Sequence, residues 1–189
     1  MEKLKEKYKL ELSKFLLQKK NIPRLWNIAE QTAELLYTLI RAKAPENILE
    51  IGTSNGYSTF WFSLAAEQSG ATIDTIEVDE DRFNLAKKNL VGRKNVILRF
   101  GKAEYIIPEL DKKYDFVFID AGKVGYVEYI KLLIEKLNDD AIIIADNVIS
   151  HKDTIQEYLD FIKSSTAFES MTLSIDNGLE ISIYNSNKE

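Results

Sequence analysis

The chain has 189 residues, of which 45% are hydrophobic, and its formal net charge is -5 at pH 7. This length and apolar content indicate a globular domain rather than a disordered chain, and the acidic balance disfavours a general nucleic-acid binder. The sequence contains no cysteine, which excludes disulfides, thiolate metal sites and cysteine nucleophiles.

The first predicted element is an amphipathic helix over about residues 3–20, in which apolar residues recur at helical spacing from Leu4 to Leu16. This charged segment has no apolar signal core, and the longest apolar run near the end, AIIIA, is too short to cross a bilayer. We therefore expect a cytoplasmic protein with no membrane segment. Residues 1–22 are expected to form a helical extension of a single domain over residues 1–189.

Strands and helices alternate after this extension. A second helix is predicted from Asn27 to Lys43, because Pro23 interrupts the first pattern and Pro45 follows the second. Short apolar runs rich in Ile and Val predict strands at residues 47–51, 72–78, 95–99, 115–119 and 141–145. Helical patterns fill the gaps at residues 57–68, 80–90, 104–109 and 124–137. This alternation is typical of βαβ units and of a parallel sheet covered on both faces.

The end of the chain departs from this alternation. After a helix predicted over about residues 153–164, the runs SMTLSI and LEISIYN flank Asp-Asn-Gly. Asn-Gly between two alternating runs is a strong hairpin signal. The sequence therefore predicts an α/β fold with a doubly wound, mostly parallel seven-stranded sheet and an antiparallel C-terminal hairpin.

The first strand ends in the stretch ILEIGTSNGYST, which predicts a ligand-binding turn. In an open α/β sheet, ligands bind at the carboxyl ends of the strands, near the point where the strand order reverses. Gly52 and Gly56 allow a sharp turn, and the helix that starts near Tyr57 points its free amides at the ligand. Their spacing lacks the dinucleotide fingerprint, which argues against a nicotinamide dehydrogenase. Glu50 would repel a phosphate and attract an amine.

The second strand ends at Glu77, within TIEVDEDR. An acid at this position accepts hydrogen bonds from both ribose hydroxyls of a nucleoside. A glycine turn, an acid that attracts an amine and an acid that binds ribose together indicate a nucleoside that carries an amino acid. S-adenosyl-L-methionine is such a molecule.

The fourth and fifth strands predict a metal site. The run FVFIDAGKVGY ends its strand with Asp120, and AIIIADNVIS ends the next strand with Asp146 and Asn147. Since the two strands are expected to be neighbours, these oxygen ligands would converge and suit a hard cation, with Mg²⁺ fitting best. Lys123 is a candidate general base beside this cation. The alternatives are that Asp and Asn serve only the turns and that Lys123 is a surface lysine.

Taken together, these segments resemble the metal-dependent class I O-methyltransferases, the catechol and caffeoyl-CoA O-methyltransferase family. The matching pieces are WNIAEQTAELL, ILEIGTSNGYST, TIEVDED, GKAEYIIPEL, FVFIDAGKVGY, AIIIADNV and DNGLEIS, which extend from about Pro23 to Tyr184. The resemblance implies a Rossmann-like methyltransferase fold, S-adenosyl-L-methionine as cofactor, and Mg²⁺ or another divalent cation. It also implies methyl transfer to a small vicinal-diol aromatic acceptor such as a catechol.

The resemblance further implies which residues form the site. The residues expected around the cofactor are Asn27, Ile28, Glu50, Gly52, Thr53, Ser54, Gly56, Tyr57, Ser58, Glu77, Val78, Gly101, Lys102, Ala103, Glu104 and Asp120. The metal ligands would be Asp120, Asp146 and Asn147, and the catalytic residues would be Lys123 and Asp120. Glu180 and Tyr126 are expected to contact the substrate.

The chain also departs from the family pattern. The loop after DNV is short, ISHKD, and Gly122 stands where many bacterial members have Asp, so the acceptor side is expected to be open or completed by a second subunit of a homodimer. The role of His151 in this loop stays open. Two other functions are considered. One is a tRNA hydroxyuridine O-methyltransferase, which the acidic charge disfavours, and the other is a cofactor-binding module without turnover, which the retained metal ligands disfavour.

Overall fold

The computed structural model of the chain describes residues 1–186. Its strands are β1 (Asn47–Ile51), β2 (Thr72–Glu77), β3 (Val96–Phe100), β4 (Tyr114–Ile119), β5 (Leu137–Asp146), β6 (Phe168–Leu173) and β7 (Leu179–Tyr184). They form one sheet in the order β3-β2-β1-β4-β5-β7-β6. Strands β1 to β5 are parallel, and β7 is antiparallel to both β5 and β6. The predicted doubly wound sheet with its antiparallel hairpin is therefore confirmed.

The helices agree with the predicted pattern, with shifts at their ends. They are α1 (Glu2–Lys7), α2 (Lys9–Asn21), α3 (Glu30–Lys43), α4 (Tyr57–Ala66), α5 (Glu80–Asn89), α6 (Ala103–Ile106), α7 (Tyr126–Leu133) and α8 (Gln156–Ser164). The predicted first helix is divided at Tyr8, and α3 begins after Ala29, whose backbone is extended, rather than at Asn27. Short 3₁₀ turns flank α7 on both sides. The second turn ends at Lys136, and β5 begins at Leu137, four residues before the predicted start at residue 141.

The apolar core lies on both faces of the sheet. On one face, α4 is buried along its whole length, because its sequence YSTFWFSLAA is apolar on nearly every side. On the other face, α7 buries Tyr126, Ile130 and Leu133 against the sheet. The N-terminal extension joins the first layer through Phe15, which is 1% exposed and contacts the ring of Phe60 with 5.4 Å between centroids. Residues 1–186 include no helix that is long and apolar enough to cross a membrane.

The strand order reverses next to β1. The chain runs from β1 through β2 to β3 on one side and then crosses to β4 and β5 on the other. The segments that follow β1 and β4 therefore turn away from each other and leave a crevice above the carboxyl ends of the strands.

Candidate functional site

A cleft of about 760 Å³ opens at this reversal of the strand order. The N-terminal segment and the ends of β1, β2, β4 and β5 all contribute to its wall. The predicted site residues that line the cleft are Asn27, Ile28, Gly52, Ser54, Glu77, Val78, Gly101, Lys102, Ala103, Glu104, Asp120, Lys123, Asp146 and Asn147. His151, in the loop after β5, lines the cleft too. The cleft thus brings together the residues predicted for the cofactor and those predicted for the metal.

The turn after β1 depends on a glycine. Gly52 has φ +107°, and a Cβ at this position would lie 2.2 Å from the carbonyl oxygen of Asp120. The amides of Gly52 and Thr53 both donate to the carbonyl oxygen of Ile76, at 2.9 and 3.1 Å. The backbone of the turn therefore contacts β2 and the end of β4 directly, so the parts of the cleft predicted for the cofactor and for the metal adjoin each other.

Glu50 lies beneath the cleft and not in its wall. It is fully buried, and its carboxylate accepts hydrogen bonds from the hydroxyls of Ser58, Thr59 and Thr75. Burial raises the pKa of Glu50 to about 7, and the three hydrogen bonds oppose this shift. The structure thus departs from the expectation that Glu50 faces an amine in the cleft, because hydroxyls already surround its oxygens.

Four other residues predicted for the cofactor also lie outside the cleft wall. The hydroxyl of Thr53 is 2.6 Å from that of Thr75, and Ser58 donates to Glu50. Gly56 approaches Leu90, and Tyr57 packs against the ring of Phe15. These four residues support the turn and the start of α4, and they do not line the cleft.

Glu77 presents an oriented carboxylate to the cleft. Its Oε2 accepts from the amide of Ser54 at 2.7 Å, and its Oε1 accepts from the amides of Val78 and Asp79 at 3.0 and 2.9 Å. The guanidinium of Arg82 lies 3.1 Å from the same Oε1. These donors fix the position of a carboxylate that is 4% exposed, and Oε2, which accepts only the hydrogen bond from Ser54, can accept another from a ligand.

Two further polar groups in the cleft wall lack partners among residues 1–186. The side-chain amide of Asn27 and the hydroxyl of Ser54 are buried without a hydrogen bond. Leaving such buried groups unpaired costs about 1–3 kcal/mol each, so native proteins rarely do so without a reason. We take these groups as binding positions for a polar ligand.

The other end of the cleft holds a cluster of charged and amide groups. Oδ1 of Asp120 accepts from Nζ of Lys123 at 2.9 Å and from Nδ2 of Asn147 at 3.3 Å. The backbone amide of Asn147 donates to Oδ1 of Asp146 at 2.7 Å. The register of β4 and β5 produces this meeting, because the two strands are paired neighbours that end at the same edge of the sheet.

Tyr126 lies under this cluster and is fully buried, so it supports the site rather than lining it. Nζ of Lys123 donates to the Tyr126 hydroxyl at 2.8 Å. That hydroxyl in turn lies within hydrogen-bond distance of the carbonyl oxygens of Ile119 and Asp146, at 3.1 and 3.2 Å. Tyr126 and Asp120 therefore hold the Lys123 ammonium between them.

The electrostatics of the cluster favour a cation. Burial raises the pKa of Asp120, against the opposing effect of the Lys123 charge. Burial also raises the pKa of Asp146, and the neighbouring Asp120 charge adds to the shift. Within residues 1–186, no three or more His, Cys, Asp or Glu side chains are grouped to hold a metal ion. The candidate metal site therefore consists of two carboxylates and the amide oxygen of Asn147, a donor set that suits a hard cation.

Glu180 lies away from the cleft, in contrast to the expectation of a substrate contact. It is fully buried in β7, where its Oε2 accepts from the Thr172 hydroxyl at 2.5 Å. Nζ of Lys163, on α8, lies 4.0 Å from its Oε1. The alternation along β7 thus turns this side chain toward α8.

Sequence reasoning missed several residues of the cleft wall. They are Lys19, Trp26, Ala29, Ile51, Ile76, Arg82, Ala121, Gly122, Tyr129, Asp176 and Asn177. One available signal was the position of Arg82, five residues after the acid predicted to bind ribose. Another was the Asp-Asn-Gly turn, which the sequence pattern assigns to the hairpin and to the family resemblance but not to the candidate site.

This hairpin turn is fastened to the loop after β5. The amide of Val148 donates to the carbonyl oxygen of Gly178 at 3.0 Å. The amides of Ile149 and Ser150 both donate to the carbonyl oxygen of Asn177, at 3.0 and 3.1 Å. The cleft wall next to the candidate metal ligands is therefore built by the loop and the hairpin together.

Comparison with known proteins gives consistent results. A family model described as O-methyltransferase matches residues 3–184. A catechol O-methyltransferase from Niastella koreensis is 37% identical over 131 residues, which cover 66% of this chain and 58% of that protein. A catechol O-methyltransferase from Mycobacterium tuberculosis is 34% identical over 134 residues, which cover 68% and 59%. The matched part of the chain thus spans less than two thirds of these relatives.

A solved structure shows the same fold. The crystal structure of the O-methyltransferase from Bacillus cereus in complex with SAH has a TM-score of 0.82 and 23% sequence identity. The match covers 93% of this chain and 91% of that chain. The shared architecture therefore extends over nearly the whole of both chains.

Proposed function

Because the chain belongs to the O-methyltransferase family, we propose that it transfers a methyl group from S-adenosyl-L-methionine to a hydroxyl oxygen of a small acceptor. The proposed acceptor is a vicinal-diol aromatic of the catechol type, and the proposed metal is Mg²⁺ or another divalent cation. The observation that carries the proposal is a single cleft with the oriented Glu77 carboxylate at one end and the Asp120–Asp146 cluster at the other. The similarity to catechol O-methyltransferases supports the acceptor class.

The cofactor would occupy the part of the cleft near β1 and β2. Glu77 would accept a hydrogen bond from a ribose hydroxyl, since its Oε2 carries only one donor within the protein. The unpaired groups of Asn27 and Ser54 would gain partners, which removes their desolvation penalty. Residues 101–104 would border the adenine.

The donor set of Asp120, Asp146 and Asn147 fits a divalent cation. Burial raises the pKa of both carboxyl groups, the Asp120 charge adds to the shift of the Asp146 pKa, and Lys123 supplies only one positive charge beside them. When bound, the cation would supply positive charge that favours the ionised form of an acceptor hydroxyl.

The chain's own residues would orient and deprotonate the acceptor. Lys123, positioned by Asp120 and Tyr126, would first release its own proton to solvent and, as a neutral amine, would then take the proton from the acceptor hydroxyl. The oxygen then attacks the methyl carbon, so that the O–C bond forms while the C–S bond breaks and the sulfonium becomes a neutral thioether. Alignment of two bound partners can supply roughly 7–11 kcal/mol of the barrier reduction.

A labelled methyl donor with added Mg²⁺ and a panel of acceptors tests the proposal. The panel comprises vicinal diphenols, their coenzyme-A esters and unmodified tRNA. We expect a chelator to abolish transfer to a diphenol. Asp146→Ala should remove turnover and leave most cofactor binding, while Asp153→Ala, at an exposed position outside the cleft wall, should do neither.

The same panel distinguishes the alternatives. A metal-independent native rate in Asp146→Ala would contradict the role of the metal. Salt-sensitive transfer to tRNA would replace the small acceptor with a nucleic acid. Cofactor binding without turnover on any acceptor would favour a binding module.

A further inference from the structure

Arg82 and Trp26 meet at the rim of the cleft beside Glu77, and the proposed chemistry uses neither of them. The guanidinium carbon of Arg82 lies 5.9 Å from the centre of the Trp26 ring, and both residues line the cleft. Trp26 is 67% exposed, which is unusual for a large aromatic side chain. An exposed indole in the wall of a ligand cleft offers apolar surface that a bound ligand can cover.

Local structure fixes the position of Arg82. It lies in the first turn of α5, and its amide donates to Oδ1 of the N-cap residue Asp79 at 3.0 Å. The amide of Asp79 donates to Glu77, which also lies 3.1 Å from a terminal nitrogen of Arg82. The segment that carries the predicted ribose acid therefore also orients the arginine.

One nitrogen of Arg82 is left over. Its Nε is buried and makes no hydrogen bond to any group in residues 1–186. The Asp79 carboxylate oxygen lies 3.8 Å from this Nε, beyond hydrogen-bond distance. A buried N–H of a charged group without an acceptor is unfavourable, so this donor is free to bind a ligand atom.

We propose that Arg82 is a positioning residue for the cofactor, with Trp26 as its partner. One terminal nitrogen holds the Glu77 carboxylate in place for the ribose, and Nε–H donates to an oxygen of the bound nucleoside. The guanidinium lies over the Trp26 ring, and the indole covers the nucleoside at the rim. This inference rests on the proposed function, and it assigns the pair to cofactor affinity, because the reacting groups lie at the Asp120 end.

Arginine suits this role better than lysine. Its planar guanidinium can form an ion pair with one nitrogen and contact an aromatic ring with its face at the same time. A lysine would keep a positive charge beside Glu77 and would replace the delocalised guanidinium over the Trp26 ring with a compact ammonium. We therefore expect Arg82→Lys to restore part, but not all, of the affinity lost in Arg82→Gln.

Calorimetry with SAH, the demethylated cofactor, measures the affinity. We expect Arg82→Gln to bind SAH roughly 10-fold more weakly than the wild type and Trp26→Ala roughly 3-fold more weakly. The double variant should lose less than the product of the two factors, because the residues act as a pair. KM for S-adenosyl-L-methionine should rise in Arg82→Gln, while kcat at saturating cofactor stays within about twofold.

Fluorescence supplies a second readout. The chain has two tryptophans, of which Trp61 is fully buried, so acrylamide quenching reports mainly on Trp26. Bound SAH should reduce the acrylamide quenching of Trp26 fluorescence in the wild type. At equal SAH occupancy the reduction should be smaller in Arg82→Gln, because the guanidinium no longer holds the indole in place.

Arg93→Gln is the matched control. Arg93 combines the same two contacts, an ion pair with Glu67 at 2.8 Å and a position 4.5 Å from the Phe60 ring centre, outside the cleft wall. Its SAH affinity should equal that of the wild type. Wild-type SAH affinity in both Arg82→Gln and Arg82→Lys, or strictly multiplicative effects with Trp26→Ala, would overturn the inference and leave the proposed function standing. A wild type that binds no SAH would overturn both.

Discussion

Glu50→Gln tests whether burial controls the charge of the acid beneath the cleft. The pKa of Glu50 is raised from 4.5 to about 7, and one pKa unit corresponds to about 1.36 kcal/mol. The ionised form therefore costs the folded state about 3 kcal/mol more than the unfolded state. Below pH 4.5 both states are protonated and this penalty is absent. It grows from pH 4.5 to 7 and stays constant above that range.

The wild type should thus lose stability relative to Glu50→Gln as the pH rises. Between pH 5 and pH 8 the difference in the free energy of unfolding should change by about 2 to 3 kcal/mol in favour of the variant. Urea unfolding at four pH values measures it, with Glu109→Gln, an exposed glutamate, as the baseline. A difference that stays flat over this range, or one that changes in the opposite direction, would refute the argument from burial.

Three further predictions concern the site and the core. Tyr126→Phe removes one of the two groups that hold Lys123, so kcat should fall roughly 10-fold while SAH affinity is unchanged, as steady-state kinetics and calorimetry would show. Gly52→Ala should lower the free energy of unfolding by at least about 2 kcal/mol, because a Cβ clashes there. Gly92→Ala, with φ +86° and open space around it, should lose less. Phe15→Ala should cost about 3–5 kcal/mol in thermal or urea unfolding, and a loss below 1 kcal/mol would contradict the packing of the extension on the core.

The sequence predicted the elements well where local signals were strong. Short apolar runs identified β1 to β5, alternating runs identified β6 and β7, and Asn177-Gly178 located the hairpin turn to the residue. The predicted ends of strands and helices were wrong where tertiary contacts determine them. The start of β5 at Leu137 depends on its pairing with Tyr114, across an irregularity in the ladder that no local pattern reports.

The site was likewise predicted where it depends on local sequence signals and missed where it depends on tertiary contacts. Residues at the carboxyl end of a strand, such as Glu77 and Asp146, were found because parallel strands end at a common edge. The surroundings of Glu50 were missed, because the hydroxyl of Thr75 reaches it from another strand. Arg82 and Trp26 meet through segments 56 positions apart, which spacing along the chain cannot reveal. The homodimer, the cytoplasmic location and the single-domain boundaries stay predictions.

The order of the last strands has a consequence for how the molecule is assembled. In the described sheet β6 pairs with β7 alone, so it cannot join until β7 has docked on β5. The same docking brings Asn177 and Gly178 to the loop after Asp146. A folding intermediate with β1 to β5 in place would then hold a formed nucleoside half beside an unfinished acceptor half. We expect refolding chains to regain SAH binding before they regain turnover.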